Sequence, residues 1–499
     1  MDKLLFALKF INKKKLIFLI ILICFAVFLE LLSLASIFPI FSIILNNQST
    51  DISFLSPIIE SIRQTSFFKF GPNLLFILLS LYVVKICYLY FLVYFQSKFS
   101  LDIQLNFADK LLQLYQGQNY LTYLQSNSSE SFRNVHSEVG LFVKYLVFPA
   151  VVIITETITI ITLLIFISFI NFEFLVIVSF IFLSSGIMYF LYFGKKLKNW
   201  GENRLANDKN RIEYLQYNLT GHKEIVLNLK QNYFRNKYNK FNYLSGINNL
   251  YSSVLAQLPR YFLEIIVISI ILVFVISSLK TNPDMTLLIP MFAVFFGAFY
   301  RILPSIVRIY QGVQNLKFGY PVFVKIYGEF KRIKLRKNNN TKYDFTNKIQ
   351  VKNVEFNYSN KSKILNKVTF EINQGECVGI IGESGSGKST LINIIMGLID
   401  PISGQIEIDN QIKNLNSDNW FKKISHIPQD IFLLNDSIKN NICFGSKLVN
   451  NNEDKIKKII KQVKLDKFLE NQAQGLDAII GEKGAQISGG EKQRLAIAR

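Results

Sequence analysis

GESGSGKST, residues 382–390, follows the apolar run Cys377–Ile381 and precedes the apolar-periodic segment Leu391–Met396. A glycine-rich loop between a buried strand and a helix turns successive backbone N–H groups and a helix N-terminus toward a polyphosphate. In that arrangement Lys388 reaches the outer phosphates and Ser389 is placed to ligand magnesium. Gly382, Gly387, Lys388 and Ser389 occupy the four fixed positions, with Gly385 and Thr390 completing the loop. A turn with an accidental lysine is the weaker reading, and the expected ligand is a nucleoside triphosphate with its Mg2+.

Working outward, the rest of the chain is too apolar for an ordinary water-soluble protein. Half of its 499 residues are hydrophobic, 45 are Phe, and the mean hydropathy is +0.27. These values predict membrane insertion. The formal charge of +21 does not mark a nucleic-acid binder, because the cations gather in the N-terminal segment, in 195–240 and in 331–337. That is the pattern of inward-facing loops beside membrane spans. Cys24, Cys87, Cys377 and Cys443 lie far apart, as do His136, His222 and His426, so neither a disulfide framework nor a metal site built from protein ligands alone is expected.

Six stretches, 16–45, 73–96, 145–170, 172–193, 252–279 and 285–312, are long enough for a hydrocarbon core of about 30 Å. The first is too long for a signal-peptide core and reads as a retained helix. Six spans return the chain to its starting side, and the cations of 195–250 place that side in the cytoplasm. The long polar segments 97–144 and 194–251 keep helical apolar spacing, as in Leu101, Leu105, Ala108 and Leu112, so the helices are expected to extend beyond the membrane. The expected organisation is a transmembrane domain over 1–327, a charged linker over 328–345 and an α/β P-loop NTPase domain over 346–499.

Three further elements follow in order: Tyr358 upstream of the loop, HIPQDIFLLNDSIKNNICFG at 426–445, and ISGGEKQRLAIAR at 487–499. Singly, each is an ordinary aromatic, polar loop or turn. In this order and spacing the chain resembles ATP-binding cassette (ABC) transporters, specifically half-exporters with six membrane helices fused to one nucleotide-binding domain. The resemblance implies that Tyr358 stacks on adenine and that Gln429 senses Mg2+. It implies that Ser488, Gly489 and Gly490 form the signature that closes over ATP held by a second subunit, in a homodimer with two composite ATP sites. Ile487 stands where the family favours Leu, and Glu491 where it favours Gln.

The chain stops at Arg499, before the strand that in this family carries the magnesium-binding aspartate, the catalytic glutamate and, later, the switch histidine. The expectation is a fragment of a longer reading frame whose 499 residues bind ATP poorly and hydrolyse it negligibly. An inactive natural product is the alternative.

Lys85, Arg260, Arg301 and Arg308 fall inside expected spans, where a charge costs about 2.5–3.5 kcal/mol on insertion scales. They are therefore candidate contacts for an anionic substrate. Pairing is the competing reading, with Glu264 four residues after Arg260 and with Glu30 and Glu156 elsewhere. The surroundings LPRYFLE and YRILPSIVRIY are similar to bacterial flippases of lipid-linked oligosaccharides. This second resemblance implies that the four cations meet a pyrophosphate, and that 51–70 forms a short external helix touching lipid tails. Export of a lipid, drug or peptide, and a hydrolysis-deficient membrane protein that binds partners without pumping, stay open as alternatives. The expected location is the cytoplasmic (inner) membrane.

Overall fold

The computed structural model describes residues 12–36, 71–168, 172–281, 285–333, 335–336, 345–358, 364–412, 415–446 and 453–499. The chain divides into two compact units, Met1–Arg336 and Lys337–Arg499. The expected external helix at 51–70 lies outside the described residues.

The first unit is helical: α1 (Lys13–Ala35), α2 (Gly71–Gln116), α3 (Tyr120–Gln125), α4 (Ser128–Arg133), α5 (Val139–Phe142), α6 (Phe148–Ser168), α7 (Phe172–Thr220), α8 (His222–Leu227), α9 (Gln231–Thr281) and α10 (Met285–Arg332). Two π-helical turns, Asn134–Glu138 and Val143–Val147, join α4, α5 and α6 into one continuous rod. Four stretches among the described residues, Lys13–Ser33, Leu78–Gln116, Ser128–Ser168 and Gln231–Ile270, are long and apolar enough to cross a membrane. The other two expected spans form the first parts of α7 and α10.

α10 runs through two apolar cores. Val322, Phe323 and Ile326 pack with α1, α2 and the 139–151 segment, whereas Phe299, Ile302, Ile306 and Tyr310 pack with α6, α7 and α9. Glycine lets the rods meet: a Cβ on Gly201 would lie 2.2 Å from the Phe318 carbonyl oxygen, and one on Gly319 2.3 Å from the Tyr145 Cβ. Small residues let helix backbones approach this closely. Outward residues such as Ile86, Phe180, Leu183 and Met188 are apolar and exposed, as a lipid-facing surface requires. Pro259 stands inside α9 and withdraws the donor that would reach the Leu255 carbonyl. The Tyr189 hydroxyl donates to that carbonyl instead, at 3.1 Å.

The second unit opens with β1 (Lys348–Phe356) and β2 (Leu365–Asn373), followed by α11 (Lys388–Ile395), β3 (Ser403–Ile408) and β4 (Gln411–Ile412). These strands form an antiparallel sheet in the order β2-β1-β3-β4. Asp409 and Asn410, both at positive φ, make the two-residue turn between β3 and β4, the residue types such a hairpin favours. The Asp409 carboxylate accepts N–H bonds from Thr346, Asn347 and Lys348 at 2.8–2.9 Å. Those donors hold it well below the usual range, at about 2.

The remaining helices, α12 (Asp418–Phe421), α13 (Ile438–Cys443), α14 (Glu453–Gln462), α15 (Asp466–Glu470) and α16 (Gly489–Ala498), include a group packed through Ile438, Ile442, Ile456, Ile460 and Leu495. One expectation is corrected. Cys377–Ile381 is not a buried strand: it joins no ladder, and Val378, Ile380 and Ile381 are 44%, 38% and 95% exposed. No strand among the described residues lies beside it, and an apolar run is buried only by what packs on it.

Candidate functional site

The loop 382–390 curls into α11 through three glycines in the left-handed or ε region, Gly382 at φ 157°, Gly385 at 86° and Gly387 at 93°. At Gly387 a Cβ would also strike Ile364 and Leu365 at 2.8 and 2.9 Å, so only glycine fits there. Lys388 Nζ donates to the carbonyls of Gly382 and Glu383 at 2.7 Å each. These are neutral acceptors, over which a phosphate oxygen prevails because its negative charge attracts the ammonium more strongly. Ser389 is exposed in the first turn of the helix and Thr390 is buried.

The Tyr358 hydroxyl lies 3.4 Å from Thr390 Oγ1, and its ring meets Phe356 edge-on at 4.9 Å, so the structure brings Tyr358 to the phosphate loop. Gln429 sits exposed in a bend after α12. Ser488 caps α16, and its hydroxyl and N–H both donate to the Glu491 carboxylate at 2.7 Å. The hydroxyl bond from Ser488 and then its N–H bond hold Glu491 below the usual carboxylate range. Where the family favours a neutral amide, this chain has an ionised cap. Gly489 and Gly490 form the exposed start of the helix.

In the helical unit, three of the four candidate cations converge on one cavity of about 610 Å³. Arg301 Nε donates to Glu30 Oε1 at 2.7 Å, and Arg301 Nη1 lies 3.6 Å from Glu156 Oε2. Arg308 donates to Glu156, and Lys85 Nζ lies 3.5 Å from Glu30 and donates to Ser33 Oγ at 3.0 Å. Both carboxylates are nearly buried, whereas the Arg308 side chain is 47% exposed. The pairing foreseen as an alternative is present, yet three cations meet two anions and one positive charge is left over. Arg260 is apart from this network: it pairs with Glu264 at 2.9 Å, both exposed, beside a second cavity of about 580 Å³ that Arg308 also lines.

Sequence reasoning missed a buried cluster at the first π-turn, where Arg133 and Glu138 lie 3.3 Å apart with Lys325 and Glu130 beside them. It also missed Arg204, counted among the loop cations but 2% exposed. The spacing Arg204/Asp208, one helical turn, was the available signal. The two short helices α3 and α8 stand at the turns of the long polar segments, with Tyr123, Leu124 and Leu227 exposed.

Comparison with known proteins agrees with this geometry. Residues 365–499 match the family model of the ABC transporter. Over 211 residues, 42% of this chain and 36% of the relative, the chain is 33% identical to the ATP-dependent lipid A-core flippase of Vibrio cholerae. Over 152 residues, 30% of this chain and 20% of the relative, it is 41% identical to the mitochondrial iron-sulfur clusters transporter of Candida albicans. The chain thus spans between a fifth and about a third of the length of these curated relatives. A solved bacterial Atm1-family ABC exporter with ATP bound superposes with a TM-score of 0.79 at 16% identity, over 97% of this chain and 83% of that one. The chain has the architecture of an ABC half-exporter, a helical membrane-type region fused to an ABC nucleotide-binding domain.

Proposed function

We propose that this chain is one half of a homodimeric, ATP-driven transporter that flips an anionic lipid, of the lipid-linked oligosaccharide type, across the cytoplasmic membrane. The observation that carries the cargo reading is the convergence of Lys85, Arg301 and Arg308 on one cavity with a positive charge in excess. A diphosphate headgroup answers that excess, and guanidinium groups suit its geometry. The similarity to a lipid A-core flippase supports a lipid cargo, and the basic polar segments support a cytoplasmic nucleotide-binding domain.

The phosphate loop fits ATP: its glycines curl it into the start of α11, residues 382–386 are exposed, and Lys388 is held only by neutral carbonyls. Lys388, the loop N–H groups and Tyr358 would hold the nucleotide, with Ser389 and Gln429 facing its Mg2+, which supplies charge neutralisation between phosphates. Ser488, Gly489 and Gly490 would meet the nucleotide of the second subunit, and α3 and α8 would carry the motion to the helices.

The test is reconstitution in proteoliposomes with a polyprenyl-pyrophosphate glycan. Arg301→Ala is expected to lower flipping more than basal ATPase. Equal loss of both would make Arg301 structural, and stimulation by amphipathic drugs but not by the glycolipid would move the cargo elsewhere.

A further inference from the structure

A third cavity, of about 770 Å³, lies among the polar portions of α7, α9 and α10 and the 137–145 segment. Lys144, Arg204 and Arg211 line it against the single carboxylate of Asp208, two positive charges in excess. Arg204 is the informative member. Its side chain is 2% exposed, wedged where Gly201 and Gly319 draw the helices together, and its guanidinium carbon stands 5.2 Å from the ring centroids of both Tyr145 and Phe318.

Those rings hold the flat faces of the guanidinium but give its N–H edge nothing. Arg204 Nε and Nη2 have no hydrogen-bond partner: Asp208 Oδ2 stands 3.9 Å from Nε, beyond hydrogen-bond reach, while Arg211 at 3.1 Å and Ser245 at 2.6 Å engage the other oxygen, Oδ1. A buried donor without an acceptor is costly, and native structures rarely keep one without a reason. The second π-turn bears directly on the cavity, since it contains Lys144 and Tyr145, and such turns recur at functional sites.

We propose that this cavity is a binding site for a phosphate group, with Arg204 as its buried donor and Lys144 and Arg211 as its rim. Asn249 and Ser252 add neutral hydrogen-bonding groups for the rest of the ligand. A guanidinium edge with two free N–H groups matches the paired oxygens of a phosphate. The site stands apart from the Arg301 cluster and does not depend on the cargo reading, although Asn315 lines both cavities.

The test uses the purified chain in detergent, carrying Lys388→Ala to silence the phosphate loop, titrated calorimetrically with inorganic phosphate. A parallel arm measures thermal stabilisation in nanodiscs containing phosphatidic acid against phosphatidylcholine alone. Saturable binding that weakens at least tenfold in Arg204→Met and about threefold or more in Lys144→Ala is the expected result. Response to free phosphate assigns a soluble ligand, and response only to phosphatidic acid assigns a lipid headgroup; either supports the site if the two variants weaken it by these factors. If Arg204→Met does not fold, Lys144→Ala combined with Arg211→Ala decides in its place. No binding in either arm, binding indifferent to these variants, or binding lost in Arg301→Ala instead, overturns the proposal.

Discussion

Glu156→Gln is the sharpest probe of the charged cavity. In the native cluster Lys85, Arg301 and Arg308 face Glu30 and Glu156, a sum of +1, and the substitution raises it to +2 with almost no change of volume. An anion bonded to Arg308 sits on the order of 5 Å from position 156. At that separation unit charges interact by about 3 kcal/mol with an effective dielectric near 20. Arg308 is 47% exposed to the cavity, so water halves this to about 1.5 kcal/mol, roughly tenfold in affinity per unit of ligand charge. Arg301 keeps Glu30 at 2.7 Å, and the lost bond to Arg308 costs at most about 1.5–3 kcal/mol of stability. Calorimetric titration of inorganic pyrophosphate, in a Lys388→Ala background, is expected to show at least tenfold tighter binding in the variant. Unchanged or weaker binding by a variant that still unfolds cooperatively would refute the idea that Glu156 opposes an anion there.

Other consequences are equally direct. Lys388→Ala removes an ammonium held only by two loop carbonyls, so fluorescent-nucleotide binding should fall at least tenfold while the unfolding midpoint stays put. Arg260→Ala breaks an exposed pair one helical turn apart, of the kind that contributes little in water, and a differential melting scan should barely register it. Asp409 has a folded value of about 2 against an ordinary 3.8, so its contribution is present above the ordinary value and is lost as pH falls from about 4 toward 2. Asp409→Asn, which tolerates the left-handed backbone, should flatten that part of an acid-unfolding curve followed by circular dichroism.

Much of this was legible one residue at a time. The phosphate loop is local: three glycines, a lysine and a helix start lie within nine positions, and the backbone adopts what they permit. Lys85, Arg301 and Arg308 were visible because a charge in a greasy stretch is costly wherever it is. Their arrangement was not, since Arg301 meets Glu30 across 271 positions and no periodicity encodes such a distance. Cys377–Ile381 shows the opposite failure, a strand-like composition without a neighbour to pair with. Arg204 was misplaced because a run of cations reads as solvated until Gly201, three residues earlier, is seen against Phe318.

The two π-turns carry a consequence for inheritance. Each takes up one extra residue within a single turn of a rod whose ordinary residues advance by about 100°, so everything downstream keeps its azimuth despite the longer sequence. Loss of a single codon within 143–147 would remove the turn's extra residue and leave Glu156 facing the cavity, whereas a codon lost from the ordinary helix of 148–155 would swing Glu156 about 100° away. Single-codon deletions in 148–155 should therefore be far less tolerated than the same deletion within 143–147.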